Sequence, residues 1–224
     1  MKKLVGGLLM AVSLPALADG QAVIQAESPD DGSQASMDVS WAGDSMRLDF
    51  PEQQEGYMLL QGDKGYMITR AEGQKIIMDL SMLKELAEGM TGEQANTAAA
   101  RSLDSLEATG ETETVAGIEG EVYSIEWTDN GGTSHDETIV LSDNTQAREL
   151  LNAFHSYQKS LMGEPDPIAQ ALEERGMGML RQGDSFLIVS ITDASPDTSR
   201  FKLPEDAVTF EEMMQKAMQD AMSE

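Results

Sequence analysis

The chain has 224 residues, with 40 Asp and Glu against 15 Lys and Arg, a formal net charge of −25, and no cysteine. A surface this acidic repels phosphate backbones and anionic lipid headgroups, which argues strongly against nucleic-acid binding. Without cysteine there is no disulfide to help the fold, so stability has to come from burying a core.

Residues 1–18 have the pattern of a signal peptide: Lys2 and Lys3, an apolar run from Leu4 to Leu17, and the small-x-small site Ala16-Leu17-Ala18. The apolar run is shorter than the roughly 18 to 20 residues needed to span a bilayer. Cleavage after Ala18 is expected to deliver a mature chain, starting at Asp19, to the periplasm or beyond; loss of Lys2 and Lys3 takes the net charge from −25 to −27. No later stretch is apolar enough to cross a membrane as a helix, and neither a repeat nor a linker divides residues 19–224, so a single domain is expected.

Ala22-Val23-Ile24 predicts a first strand, followed by a turn at Ser28-Pro29-Asp30-Asp31-Gly32. Residues 36–80 then read as four or five short strands. Met37, Val39 and Trp41 alternate with polar residues, and so do Met46, Leu48 and Phe50, which predicts strands with one dry face. Tyr57-Met58-Leu59-Leu60, Tyr66-Met67-Ile68 and Ile76-Ile77-Met78 are apolar on both faces and need cover twice.

That cover is expected from helices: one capped by Ser81 and running through Glu88, and a second over Ala98 to Ala108 with Leu103 and Leu106 on one side. A polar loop, residues 91–97, separates them. Strands resume at Thr114-Val115 and at Val122 to Trp127, and Asn130-Gly131-Gly132 signals a hairpin returning over Ser134 to Leu141. A longer helix is expected from Asp143, with Leu150, Phe154, Tyr157 and Leu161 on one stripe and a stop at Gly163 and Pro165. Asp166 caps a further helix opened by Pro167 and closed at Gly176. Two strands follow, Met177 to Arg181 and Ser185 to Thr192, and Phe201-Lys202-Leu203-Pro204 reads as an edge segment. Thr209 and Glu212 form a capping box for a last helix whose apolar face is Phe210, Met214, Met218 and Met222. Strands joined by short turns, with helices between groups of them, predict an α+β fold on an antiparallel sheet.

Several pieces, among them SMRLDF and GYMITR in the strand run, TVAGIEGEVYSIEW ending at Trp127, and FKLPEDA from Phe201 to Ala207, resemble the DUF4412 family of secreted bacterial proteins over most of the mature chain. That family is similar in turn to the LolA and LppX-like group. The resemblance implies a curved antiparallel sheet, a half-barrel, with helices covering one side and a hydrophobic guest inside. It carries no catalytic residues. The acidic insertions and the Met-rich tail after Leu203 depart from the family pattern.

Catalytic and metal signatures are absent or incomplete. Gly183-Asp184-Ser185-Phe186 mimics an esterase nucleophile block, but the two histidines, His135 and His155, both precede it, and ordinary turn chemistry explains it. His135-Asp136-Glu137 offers neighbours that point to opposite faces of a strand, too few for a zinc site. The 16 methionines are unusual. Thioethers suit Cu(I), and Met78/Met82, Met177/Met179 and Met214/Met218/Met222 are the clusters that would bind it; methionine also fills irregular apolar space.

The reading that follows is a non-enzymatic periplasmic carrier or binding protein, with no cofactor, for a lipid, a lipoprotein acyl chain or another hydrophobic molecule. Its expected lining is Trp41, Leu48, Phe50, Leu60, Met67 and Met78, with Met214 and Met218 as lid residues. The alternatives are a copper-binding protein and an interaction protein without a ligand. A protein partner is left open.

Overall fold

A computed structural model describes residues 19–27, 32–51, 56–71, 73–82, 99–162 and 166–222. The leader, the turn begun at Ser28, the helix expected after Ser81, the polar loop 91–97 and the stop at Gly163 and Pro165 lie wholly or largely outside these residues, as do the side chains of Tyr157, Leu161 and Met222.

Twelve strands form one open sheet in the order β12-β6-β5-β4-β3-β2-β1-β11-β10-β9-β8-β7. The first half is β1 (Asp19–Glu27), β2 (Gln34–Ala42), β3 (Ser45–Asp49), β4 (Tyr57–Gln61), β5 (Lys64–Ala71) and β6 (Gln74–Asp79), each antiparallel to the next. The second half is β7 (Ala100–Val115), β8 (Ile118–Asp129), β9 (Ser134–Ser142), β10 (Gly178–Gln182) and β11 (Phe186–Thr192), and β11 pairs with β1 to join the halves. Helix α1 (Thr145–Met162) and helix α2 (Pro167–Glu174) lie between β9 and β10 in sequence; a 3-10 turn (Thr198–Phe201), β12 (Val208–Thr209) and helix α3 (Phe210–Met222) end the chain. The class is α+β. The sheet is mixed rather than wholly antiparallel, because β12 adds to the edge in parallel with β6.

The run from residue 36 to 80 is the expected meander, and its register shows why the methionines recur. Val39, Leu48, Met58, Met67 and Met78 are successive cross-strand partners and so share one face of β2 to β6. That face merges into a core with Trp41, Met46, Leu60, Ala147 and Leu150. The opposite face of β4 and β5 buries Leu59 and Ile68 under Phe201, with Leu203 beside them. The two-sided strands β4 and β5 are therefore covered twice, and among the described residues the outer cover is the 3-10 segment. Asp49 holds that segment: it accepts from Arg47 Nη2 at 2.6 Å and from Arg200 Nη2 at 2.8 Å. Phe201 consequently lies over the sheet, where an edge strand was expected.

The helix expected over Ala98 to Ala108 is a correction. Ala100 to Ala108 form the start of β7, and bulges fall between Ala100 and Ser102, between Leu103 and Ser105, and between Ala108 and Thr112. Each of the first two inserts one extra residue, so Ala100, Leu103 and Leu106 meet Asp129, Trp127 and Ile125. A spacing of three along a bulged strand imitates one face of a helix. The β7–β8 hairpin that follows turns through Ala116 and Gly117, both at positive φ, as a two-residue turn with right-handed strand twist requires.

Candidate functional site

Helix α1 begins where Asn144 Oδ1 accepts from the backbone N–H groups of Gln146 and Ala147, at 3.0 and 3.2 Å. It lies directly on β10, because Gly178 has no Cβ to strike the backbone of Ala147. Ala147 and Leu150 join the core beneath it. Residues at helical spacing on either side of this contact face two separate cavities: Leu150, Leu151, Phe154 and Gln158 one of them, Glu149, Asn152, Ala153 and Ser156 the other.

The larger cavity measures about 420 Å³ and lies between α1, α2 and the sheet. Its walls come from Met37, Trp127, Met179 and Phe186 on four strands, Leu150, Leu151 and Phe154 on α1, and Ile168 and Ala169 on α2. Asp166 positions α2: its Oδ1 accepts from the N–H groups of Ile168 and Ala169 at 2.8 and 3.0 Å, with Pro167 at the first helical position. A bond of 2.9 Å between His155 Nδ1 and Glu173 Oε2 pins α1 to α2. Trp127 is fixed by an Nε1–H bond to Glu137 Oε1 at 2.8 Å and by stacking on His135, with ring centroids 4.0 Å apart. Gln182, on the wall, donates to the same Glu137 oxygen at 2.9 Å. Asp166 and Gln182 thus have partners within the protein, Gln158 of α1 is the remaining polar side chain on the wall, and most of what faces the space is hydrocarbon, aromatic ring and thioether.

The smaller cavity measures about 260 Å³ and lies on the other side of α1, against Trp41, Met46 and Leu60 and the turn Gly43-Asp44-Ser45. Trp41 is 2 % exposed, its indole packed over Gly20, where a Cβ would collide with the ring. Its Nε1–H is buried and has no acceptor among the described residues. Burial raises the pKa of Glu149 above the ordinary carboxylate value, partly offset by Arg148.

A third cavity, of about 330 Å³, lies on the opposite face beside Arg47, Arg70 and Lys75. Arg47 stacks 3.6 Å over the Tyr57 ring and is bound to Asp49, and Lys75 is bound to Asp206 at 3.0 Å. These cations already serve the fold.

Six of the residues named from the sequence come together. Trp41, Leu48, Leu60 and Met67 share one face of the meander with Met78, and Phe50 packs against the same core. Trp41 and Leu60 line the smaller cavity, and none of the six lines the larger one. Met214 and Met218 sit on α3, 46 % and 64 % exposed, and line neither. The larger cavity was not legible beforehand. Its walls come from seven elements, and the only usable signals were the Leu150/Phe154 stripe and the rarity of tryptophan, since Trp41 and Trp127 each line one cavity.

Ser185 sits in the β10–β11 turn, where its Oγ donates to the Gln182 carbonyl at 3.0 Å. His135 and His155 are engaged by Asp129 and Glu173 respectively. Among the described residues no three His, Asp or Glu side chains converge on a point where a metal ion would sit. No described helix is long and apolar enough to cross a membrane.

No family model matches the chain, and no curated protein does. Two solved structures show a distant likeness. One is the crystal structure of MucB in complex with MucA(peri), at 14% identity and a TM-score of 0.30, covering 85% of this chain and 56% of that one. The other is the complex structure of Pseudomonas aeruginosa MucA/MucB, at 13% identity and a TM-score of 0.30, covering 86% and 58%. The chain thus spans a little over half the length of each.

Proposed function

We propose that the protein is an exported, non-enzymatic binding or carrier protein for a hydrophobic ligand, a lipid or a lipoprotein acyl chain, held in the larger cavity. One observation carries this reading: about 420 Å³ of space whose walls are mostly apolar and whose Asp166 and Gln182 are already bonded within the protein. Ligand sites are typically about 300–1,000 Å³, mostly apolar, with few polar groups. A guest entering this space gains from burying its own apolar surface, while a polar guest would lose hydrogen bonds to water with little to replace them. The leader read in residues 1–18 supplies export to the periplasm. The resemblance to the DUF4412 family and its LolA-like half-barrel fits the same picture, a sheet with helices on the ligand side.

The test is to purify the exported form, extract it with organic solvent and look for co-purified lipid by mass spectrometry. In parallel, the Trp41→Phe variant, which keeps Trp127 as its one indole, is titrated with dibrominated stearate. Lipid in the extract and quenching of Trp127 are expected. An empty extract with unquenched Trp127 sinks the reading.

One observation favours a second reading, a soft-metal site. Met58, Met67 and Met78 are direct cross-strand neighbours on one face, each partly exposed. Three thioethers so placed suit Cu(I). Titration with Cu(I) under reducing conditions decides it: Met67→Leu keeps the packing, so unchanged affinity in that variant eliminates copper.

A further inference from the structure

Three polar side chains stand on the wall of the larger cavity, Gln158, Asp166 and Gln182, and of these Asp166 alone carries a charge. Among the described residues no Lys, Arg or His shares that wall. Asp166 is fixed there by its capping role, since its Oδ1 takes the N–H groups of both Ile168 and Ala169. The α2 N-terminus offers roughly half a positive charge, and the full negative charge of Asp166 outweighs it. Two more carboxylates lie behind the lining. Glu137 accepts from the wall residues Trp127 and Gln182, and Glu173 is bound to His155, next to Phe154 on α1. A charge on His155 is therefore already answered by Glu173. Among the described residues, the surroundings of this apolar space are negative.

We infer that the larger cavity takes acyl chains whose carboxyl is tied into an uncharged ester or amide and discriminates against free fatty acids, with Asp166 setting the preference. The inference rests on the proposed function, in which the guest is an acyl chain. A free carboxylate brought to this wall meets the like charge of Asp166 and no described cation on the wall to offset it. It has to stay in water instead, and the chain behind it then buries less of its apolar surface. An ester or amide has no charge to desolvate, so its chain enters to full depth. Coulomb repulsion acts beyond contact distance, so the preference needs no direct touch between Asp166 and the headgroup. The net charge of −25 works in the same direction from further away, but salt screens it.

The probes are dibrominated stearate, its monoglyceride and its N-methylamide, titrated at neutral pH. The protein is the Trp41→Phe variant, in which Trp127 on the cavity wall is the one indole. The monoglyceride and the amide are expected to quench Trp127 at about tenfold lower concentration than stearate. The tighter of the two names the source, an ester for a lipid and an amide for an N-acylated chain. Adding Asp166→Asn removes the charge while the side-chain oxygen still caps α2, and should bring stearate within about threefold of the neutral probes. What is read is a ratio within one variant, so a general loosening of α2 does not imitate it. Stearate binding as tightly as the neutral probes overturns the inference and leaves a hydrophobic carrier in place. So does a ratio that survives Asp166→Asn. Quenching by none of the three overturns the carrier reading and this inference with it.

Discussion

Leu103 of β7 stands opposite Trp127 of β8, and three residues later Leu106 stands opposite Ile125, only two residues before Trp127. The extra residue between them is absorbed by a bulge whose exposed member, Asp104, accepts from Thr128 Oγ1 at 2.7 Å and from Ser102 Oγ at 3.0 Å. Both leucines join the cluster of Ile125, Ile139 and Leu172 that α2 closes. Leu106→Ala is therefore expected to destabilise the protein by about 1–2 kcal/mol, below the range for a fully buried leucine because Leu106 is partly exposed. Deleting Asp104 should cost less, since Leu103, Ser105 and Leu106 can then pair with Trp127, Glu126 and Ile125 as a regular ladder with every following side chain on its present face. Urea unfolding of both variants measures it. A deletion that costs more than the point substitution would show that the bulge does more than absorb one extra residue.

Ala116 takes a positive φ of 50 in the two-residue turn between β7 and β8. An L-residue with a Cβ pays roughly 1–2 kcal/mol for that conformation, and glycine or asparagine pays less. Ala116→Gly should raise stability by roughly 0.5–1 kcal/mol, which corresponds to a few degrees in Tm. A fall in Tm by calorimetry would refute the strain.

Phe201 is buried over Leu59 and Ile68 and is the outer cover of β4 and β5. Truncation to alanine opens both leucine and isoleucine to water, and about 3–5 kcal/mol of stability should go with it. Arg200→Ala, which removes one tether to Asp49, should cost under about 1 kcal/mol because that pair is partly solvated. If the two variants unfold at the same denaturant concentration, the segment does not cover the sheet as described.

Asp129 fastens the β8–β9 hairpin: its carboxylate accepts from the Thr133 N–H at 2.8 Å and lies 3.1 Å from His135 Nε2. The bond with His135, followed by that from Thr133, holds its pKa below the ordinary carboxylate value. A depressed folded-state pKa contributes stability that is present above the unfolded-state value and lost as pH falls through the folded one. The unaltered protein should therefore lose stability relative to Asp129→Asn on acidification, with the two curves converging below roughly pH 4. Denaturation midpoints from neutral pH to pH 2 check this. A gap that stays constant would mean that the charge on Asp129 contributes nothing.

Local chemistry determined much of this protein before any tertiary contact was considered. Alternation in Met37 to Trp41 and in Met46 to Phe50 specifies half-buried strands, Asn130-Gly131-Gly132 a hairpin, Asp166-Pro167 a helix start, and Thr209 with Glu212 a capping box whose two bonds measure 3.0 and 3.2 Å. These depend on neighbours within a few residues, so a short window contains their cause. The apolar second face of β4 to β6 announced that a cover was needed but not which segment supplies it, because Phe201 lies more than a hundred residues away in sequence. Bulges hid all of β7 but its end at Thr114-Val115: their register belongs to the pairing with β8 and has no expression in β7 alone. The cavities were decided last, by where α1 settles on Gly178 and which of its faces meets Trp41 and which Trp127. Empty space is a property of elements brought together, and no single stretch of chain contains it.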